Sequence, residues 1–361
     1  MTWLALDVGA AEVTAAVWSP SGLVAVARSP RGSSARDVWD AVEAAVAGAV
    51  AAGADPVEVE GVGCSGTGGW LLVSREGEPL TPVLASVPDI PGEGWIASAR
   101  DFVASLLTGR LATDPTVASA TGFFAPDGTA ADPRAERMAP QNGSTDVLGD
   151  LMLPAARRLG LRSRVPVAIG ATSEVCAVEG AGAVAPLVTF GSPVVVHVPV
   201  APPAAAPPEG VVLRAGGRSY QVYEAPLPGM VDALDALVLR TGRSRESLAA
   251  SAAVARPGED PVRVAYESGA FAVARVVRAL APEAPFLYAH GSPDRAWRAV
   301  LPSVTGLPVV HRRSPELTTL GLAMLTATAT GGHLDREEAN PVAYVDEPDV
   351  DLAGRYAAAS P

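Results

Sequence analysis

Two segments of this chain share one layout: an apolar strand, a tight turn that contains glycine, and a second apolar strand. The first is LALDVGAAEVTAAVW at residues 4 to 18, and the second is PLVTFGSPVVVHVPV at residues 186 to 200. Each segment begins one half of the chain. The pattern therefore predicts two α/β halves facing a cleft, each of which opens with its own strand–glycine–strand hairpin.

The length and charge of the chain agree with a two-domain globular protein. A chain of 361 residues exceeds what one hydrophobic core usually supports. Hydrophobic residues make up 48% and charged residues 18%, which is typical of folded rather than disordered chains. The net charge of −12 argues against nucleic acid and against an anionic membrane surface, because both are bound by cations. No stretch approaches the roughly 20 apolar residues of a membrane-spanning helix, so we expect no membrane partner.

The cysteines and the first residues indicate the compartment. Cys64 and Cys176 lie far apart in sequence and lack zinc-type partners, which is typical of buried thiols in a reduced cytoplasm. The chain enters a strand at once, with no basic region before it, so no signal peptide is visible. We therefore expect a cytoplasmic protein.

In the first half, apolar periodicity predicts the elements that follow the opening hairpin. Ser34 caps a helix that continues to about Ala52, and a buried strand at 59–64 leads into the glycine-rich loop SGTGGW. A helical pattern covers 95–107, and residues 125–146 have the composition of a long surface loop. A strand at 165–170 then precedes a helix that opens within 174–180.

The second half is predicted to be mostly helical after its hairpin. Helical patterns cover 228–240, 244–255 and 261–281, and short strands lie at 286–289 and 307–311. A last helix at 314–331 is predicted to begin with Ser314 as its N-cap and Pro315 at its first position.

Two strand ends carry residues suited to ligand binding. Asp7 ends the first apolar strand and Gly9 supplies the turn, an arrangement that aims backbone N–H groups and one carboxylate at a metal-bound phosphate. The SGTGGW loop follows a strand at its carboxyl end, where open α/β sheets bind ligands. Against a phosphate site, Ala10 and Ala11 offer no hydroxyl and Glu12 adds a negative charge. A phosphate site, a former phosphate site and a plain hairpin all remain open on these residues alone.

The order of these pieces resembles the FGGY carbohydrate kinases, the xylulose, gluconate and glycerol kinase group. The resemblance spans nearly the whole chain and is carried by LALDVGAAEVTAAVW, GVGCSGTGGWLLVSREGEPLTPVL, LTGRLATDPTVASATGFF, VAIGATSEVCAVEGAGAV, YAHGSPDRAW and PELTTLGLAMLTA. It implies an α/β, two-domain actin-like ATPase (ribonuclease H-like) fold with a cleft between the halves. It also implies an FGGY N-terminal-like domain at 1–185 and a C-terminal-like domain at 186–361, in a chain shorter than the family norm.

The family reaction is ATP-dependent phosphoryl transfer to a sugar or polyol hydroxyl, with Mg-ATP as the cofactor. Carried over position by position, the resemblance implies cofactor contacts at Asp7, Gly9, Ala10, Ala11, Gly191, Ser192, Gly291 and Ser292. The sugar side would be formed by Thr67, Gly68 and Asp89. Asp7 would hold magnesium through water.

The chain departs from the family at the positions that carry chemistry. Counted back from GAG at 180–182, the position of the catalytic base is Ser173, and a serine does not accept a proton usefully near neutral pH. Glu174, the next residue, is the substitute if the register shifts by one. Pro193 removes a backbone donor from the second turn, and His290 stands where the family has glycine in its adenosine loop.

Three functions stay open on this basis. The chain is an active sugar kinase with unusual site residues, a non-catalytic homologue that binds a metabolite, nucleotide or protein, or a structural scaffold. The simultaneous loss of three motifs favours weak or absent activity and weak or absent Mg·ATP binding. The partner is a small sugar or polyol if the chain is active, and a homo-oligomer or a protein partner also remains open.

Overall fold

The computed structural model describes residues 1–87, 93–125, 127–191, 193–216, 220–227, 229–291 and 293–359. The chain forms two compact units, neither of which is continuous in sequence. Unit 1 comprises Met1–Gly180, Arg214–Gln221 and Leu317–Asn340, and unit 2 comprises Ala181–Leu213, Val222–Glu316 and Pro341–Pro361. The family domains at 1–185 and 186–361 stay a prediction.

The described residues form fifteen strands. In chain order they are β1 Thr2–Val8, β2 Glu12–Ser19, β3 Gly22–Pro30, β4 Val59–Ser65, β5 Trp70–Val73, β6 Trp95–Ser98, β7 Val147–Asp150, β8 Pro166–Ala168, β9 Leu187–Thr189, β10 Val194–Val200, β11 Val212–Ala215, β12 Gln221–Leu227, β13 Leu287–His290, β14 Val309–Arg312 and β15 Val342–Asp346.

Twelve α-helices and one short 3-10 helix, Pro133–Arg137, lie between these strands within the described residues. The α-helices are α1 Ala35–Ala51, α2 Ala99–Thr108, α3 Pro115–Ala120, α4 Leu153–Leu159, α5 Ser173–Ala181, α6 Met230–Thr241, α7 Arg245–Val254, α8 Pro261–Leu280, α9 Arg295–Thr305, α10 Leu317–Ala329, α11 Arg336–Ala339 and α12 Val350–Ala359. In the part of the chain that the structure describes, none of them has the length and apolar character needed to cross a membrane.

The two large sheets repeat one strand order, which confirms the two-part α/β architecture predicted from the paired hairpins. In the first sheet the order is β3-β2-β1-β4-β8-β7, with an antiparallel β1–β2 hairpin and parallel β1–β4 and β4–β8 pairs. The second has the order β11-β12-β10-β9-β13-β14-β15, with an antiparallel β9–β10 hairpin and parallel β9–β13 and β13–β14 pairs. Each sheet thus adds its parallel strands to the first strand of a hairpin.

The structure confirms the helix predicted after Ser34, which is α1 and packs on the first sheet. Ser34 is its N-cap, and the reciprocal hydrogen bonds between Ser34 and Asp37 form a capping box. Val38, Val42 and Val46 are buried against the sheet, in the i+4 stripe that the sequence shows. The stripe ends there, because the side chain of Val50 is exposed.

Two predicted element boundaries are wrong. Trp95–Ser98 is a strand that pairs antiparallel with β5, and the helix begins only at Ala99, where Ser98 and Asp101 form a second capping box. The last helix begins at Leu317 rather than directly after Ser314, although the Ser314 hydroxyl accepts the N–H of Glu316, two residues on, as a capping serine does.

Two larger predictions are also corrected in part. The second half has more helical than strand residues, as predicted, but it also contains a seven-stranded sheet of which β11, β12 and β15 were not predicted. The segment 125–146 is not wholly on the surface, since Met138 and Ala139 are buried.

Helix α10 packs on the first sheet through very small residues. A Cβ added at Gly321 would overlap the carbonyl oxygen of Cys176, and one added at Gly180 would overlap that of Leu317. Helices α5 and α10 therefore touch backbone to backbone. On the sheet side, a Cβ at Gly63 of β4 would overlap the hydroxyl of Thr326. Only glycine allows these spacings.

The Gly321→Ala variant tests this contact. Alanine normally stabilises a helix interior by about 0.5–1 kcal/mol over glycine, but here the methyl group must push α5 away, so we expect a net loss of about 2–3 kcal/mol. Denaturant unfolding measures it. The matched control is Gly354→Ala in α12, where an added Cβ meets nothing within 4 Å. Equal effects at the two positions would contradict the close contact.

Unit 2 buries an imidazole in its central sheet. His197 on β10 is 2% exposed, and among the described residues its Nδ1 has no hydrogen-bond partner. Burial lowers the pKa of His197 to about 4, and it likewise lowers that of His290 to about 4, with a smaller contribution from the nearby His197. Both imidazoles are thus neutral in the folded protein at neutral pH.

This burial predicts acid sensitivity. Because the folded pKa of His197 lies below the usual 6.5, the unfolded chain binds the extra proton, and stability falls as pH drops from about 6.5 toward 4. For His197 we expect a loss of about 3 kcal/mol over that interval. His197→Leu should flatten the pH dependence of the unfolding free energy, whereas the exposed-site control His333→Gln should not. An unchanged slope in His197→Leu would contradict the assignment.

Candidate functional site

The carboxylate of Asp7 lies at the carboxyl end of β1, where two serine hydroxyls converge on it. Ser65, its register partner on parallel β4, donates to Asp7 Oδ1 at 2.8 Å. Ser173, the first residue of α5, donates to the same oxygen at 2.7 Å. The structure therefore brings together two of the sequence-predicted site residues, Asp7 and Ser173. It adds Ser65, which could have been found from its place at the end of the adjacent strand.

Ser173 is held in place by the loop before α5. The backbone N–H of Thr172 donates to Thr116 Oγ1 at 2.9 Å, and Thr116 belongs to the short helix capped by Asp114. Glu174 is exposed, whereas Ser173 is half-buried. Consecutive helix residues point about 100° apart. The substitute base predicted from a shifted register is therefore not at the position that Ser173 occupies.

The first turn is closed by its own backbone. Gly9 N–H donates to the carbonyl of Glu12 at 3.0 Å, and Ala10 and Ala11 are exposed at the tip. The carboxylate of Glu12 lies 3.6 Å from Nε of Arg28 on β3, and both side chains are about half exposed. The negative charge that Glu12 brings to the turn is thus partly offset by the positive charge of Arg28.

Arg31, which the sequence reasoning missed, ties this turn to the glycine-rich loop. Its Nε donates to the Gly9 carbonyl at 2.7 Å, its Nη1 to the Gly32 carbonyl at 3.3 Å and its Nη2 to the Gly68 carbonyl. Its backbone N–H donates to Ala11 O at 3.0 Å. Partial burial lowers the pKa of the guanidinium from its usual value. The sequence feature that could have identified Arg31 is its position directly after β3, opposite the turn.

The glycine-rich loop folds tightly over β1. Gly66 and Gly68 have φ values of 103° and 59°, and a Cβ at Gly68 would lie 2.7 Å from the Val8 carbonyl oxygen. Only glycine fits this approach. Between this loop and the first turn lies a cavity of about 430 Å³, named here the Arg31 cavity and lined by Ala10, Arg31, Gly32, Ser33, Thr67, Gly68, Gly69, Trp70, Val83, Leu84 and Ala85.

Two of the predicted sugar-side residues, Thr67 and Gly68, line the Arg31 cavity. The third, Asp89, lies outside the described residues, as do the predicted cofactor residues Ser192 and Ser292.

Unit 2 has a cavity beside its own hairpin turn. It measures about 670 Å³ and is lined by Phe190, Gly191, Val194, Val231, Leu234, Arg245, Glu246, Ala249, Ala250, Pro293, Asp294, Arg295 and Trp297. Gly191 is a predicted cofactor residue. Gly291, another, has a φ of 87° and lies two positions before Pro293, which lines the cavity. The turn and the adenosine-loop region therefore border one cavity.

His290 stands at the edge of this second turn. Its Nδ1 lies 3.4 Å from Thr189 Oγ1, and its carbonyl accepts the N–H of Phe190 at 3.1 Å. The side chain occupies space against the sheet and is not among the residues that line the cavity.

Around Asp7, the structure offers a Mg·ATP one carboxylate and no hydroxyl from the turn. Oδ1 of this single carboxylate already accepts two hydroxyl hydrogens, and the turn residues Ala10 and Ala11 carry no oxygen in their side chains. Over the described ranges, no group of three or more His, Cys, Asp or Glu side chains is arranged to hold a metal ion. Mg²⁺ usually binds one or two carboxylates together with phosphates and water.

Solved structures of other proteins match this chain over nearly its whole length. No protein-family model matches the sequence, and no curated protein does. A ligand-bound xylulose kinase from Lactobacillus acidophilus superposes with a TM-score of 0.87 at 14% identity, covering 99% of this chain and 96% of that one. Gluconate kinase from the same organism gives 0.85 at 13% identity, covering 99% and 95%.

A third similar structure is Plasmodium falciparum glycerol kinase with ADP, with a TM-score of 0.82 at 11% identity and coverage of 99% and 96%. At such identities the likeness is one of fold. Together with the repeated strand order of the two sheets, it shows that the chain has the two-domain, actin-like α/β fold of the FGGY carbohydrate kinases.

Proposed function

We propose that this protein is an FGGY-type carbohydrate kinase homologue in which phosphoryl transfer to a sugar or polyol is weak or lost, while small-molecule binding is kept. The observation that carries the proposal is the 2.7 Å hydrogen bond from Ser173 Oγ to Asp7 Oδ1. At the position that the family resemblance assigns to the base, Ser173 has a hydroxyl that donates a hydrogen rather than a carboxylate that accepts one.

The missing base has a large kinetic cost. Transfer of a phosphoryl group to an alcohol needs a group that takes the hydroxyl proton, and loss of such a base costs about 10²–10⁴ in rate. Asp7, the nearest carboxylate, already accepts hydrogens from Ser65 and Ser173. Glu174 is exposed and sits on another side of α5.

The phosphate contacts are weakened as well. The tip of the first turn is alanine at positions 10 and 11, and Pro193 in the second turn has no N–H to donate. Backbone donors of the turns can still attract an anion. We therefore propose that Mg·ATP binds weakly or not at all.

The two cavities favour a small ligand over a purely structural role. Volumes of about 430 Å³ and 670 Å³ both fall within the range of ligand sites, about 300–1,000 Å³. Both border residues that the family resemblance assigns to binding, including Thr67 and Gly191. A scaffold without a ligand has no use for open cavities at both hairpin turns.

Turnover is the direct test of this proposal. In an assay of ADP release with Mg·ATP and a panel of pentoses, hexoses and polyols, we expect no sugar-stimulated rate above the background of the Asp7→Asn variant. Calorimetric titration with Mg·ATP should show no low-micromolar binding. Robust sugar-dependent ADP release by the wild type would overturn the proposal and would point to another acid as the base.

The Ser173–Asp7 contact predicts the outcome of restoring the acid. Ser173→Asp puts a second carboxylate against Asp7, and this like charge raises the folded-state pKa of the new carboxyl. We expect a destabilisation of about 2 kcal/mol at pH 7 relative to the neutral isostere Ser173→Asn. Because the folded pKa lies above the unfolded one, the difference should shrink as pH falls toward 4.

Denaturant unfolding of both variants between pH 4 and pH 7.5 measures this difference. A gap that does not change with pH would show that the two side chains at positions 7 and 173 are not in contact.

A further inference from the structure

We propose that the Arg31 cavity binds a small hydroxylated ligand that carries an oxyanion, a carboxylate or a phosphate, and that Arg31 is the residue that recognises this negative charge. The inference rests on the proposed function, since it concerns the ligand side of the same site. It adds the charge of the ligand, which neither the fold nor the sequence motifs specify.

The first observation is the isolated charge of Arg31. Among the described residues that line the cavity, Arg31 is the only charged one. Within the described residues, its side-chain hydrogen bonds go to the backbone carbonyls of Gly9, Gly32 and Gly68 and to no carboxylate. Partial burial lowers the pKa of its guanidinium. In the part of the chain that the structure describes, this half-buried cation is thus hydrogen-bonded by its side chain to neutral carbonyl groups alone.

The second observation is how the guanidinium is fixed. Nε, Nη1 and Nη2 each donate one hydrogen bond to a backbone carbonyl, which pins the group between the first turn and the glycine-rich loop. A guanidinium has five N–H groups, so one hydrogen on each terminal nitrogen remains for a ligand. Two N–H donors on one rigid group match the two oxygens of a carboxylate or a phosphate. The carbonyls orient the group without cancelling its charge.

The third observation is the polar and aromatic lining around it. Ser33 and Thr67 bring hydroxyls, Gly68 and Gly69 bring backbone groups, and Trp70 contributes an aromatic ring. Hydroxyl groups and one aromatic surface suit a polyhydroxylated carbon chain. At about 430 Å³ the cavity has the size of a site for a single small molecule.

The test compares each anionic sugar ligand with an uncharged counterpart that has the same carbon skeleton. The full-length protein is titrated by calorimetry, without nucleotide, with gluconate and its neutral counterpart glucitol, and with glucose 6-phosphate and glucose. Inorganic phosphate is the fifth ligand. We expect at least one anionic ligand to bind about tenfold or more tightly than its neutral counterpart, the effect of one charge-assisted pair. Preference for gluconate assigns a carboxylate, and preference for glucose 6-phosphate assigns a phosphate.

Variants locate the effect at Arg31. Arg31→Gln should abolish the preference for the anion, and Arg31→Lys, which keeps the charge but not the planar fork, should keep part of it. The matched control is Arg36→Gln, which removes the same charge from a side chain that is 89% exposed and only five residues away. It should bind like the wild type.

Several results would overturn the inference. Equal binding of anionic and neutral sugars by the wild type does so without any variant, as does binding of inorganic phosphate alone or of no anion at all. An anion preference that survives in a folded Arg31→Gln variant excludes Arg31. These titrations contain no ATP, so their outcome does not depend on the turnover assay. Sugar-dependent ADP release would overturn the proposed loss of catalysis. Only the titrations can overturn the proposed negative charge of the ligand.

Discussion

The contact between helices α5 and α10 is the constraint on which the candidate site depends. Gly180 and Gly321 let the two backbones touch, since a side chain at either position would overlap a carbonyl oxygen of the other helix. Helix α10 in turn lies against β4, where Gly63 leaves room only for the hydroxyl of Thr326. Because α5 begins at Ser173, this stack fixes Ser173 against the end of β1, within 2.7 Å of Asp7. Bulkier residues in the stack would lift α5 and open that hydrogen bond.

The scaffold that holds Ser173 in place can be kept whether or not the protein catalyses phosphoryl transfer. The sheets, the capped helices and the glycine contacts are made by residues other than Ser173, so the fold does not need an acid at position 173. A function that needs only binding is then supported by what remains, namely two cavities at the hairpin turns and a guanidinium at one of them. Arg31 also has a structural role, because it joins the first turn to the glycine-rich loop through Gly9 and Gly68.

Where sequence prediction failed, pairing partners far along the chain decided the structure. Residues 95–98 have a helical pattern but form a strand because Trp70–Val73 is available as its partner. Strand β15 is exposed at Val342 and Tyr344 and has no strong apolar alternation. It is held at the sheet edge by β14 and by the ion pair of Arg298 with Asp346 at 2.9 Å. Such partners cannot be read from a local window, because strand stability comes mainly from cross-strand neighbours.

The sequence by itself determined the local features of this protein: the two hairpins, the cap at Ser34, the tight glycine loop, and the serine at the position that the family resemblance assigns to the base. Each depends on a few neighbouring residues whose conformational preferences are intrinsic. Only the tertiary structure decided which of these features meet. Asp7 and Ser173 are 166 positions apart, and Arg31 and Gly68 are 37 apart. Their contacts exist because parallel strands end at one edge and glycine contacts seat α5 above it, a result of packing that no single segment encodes.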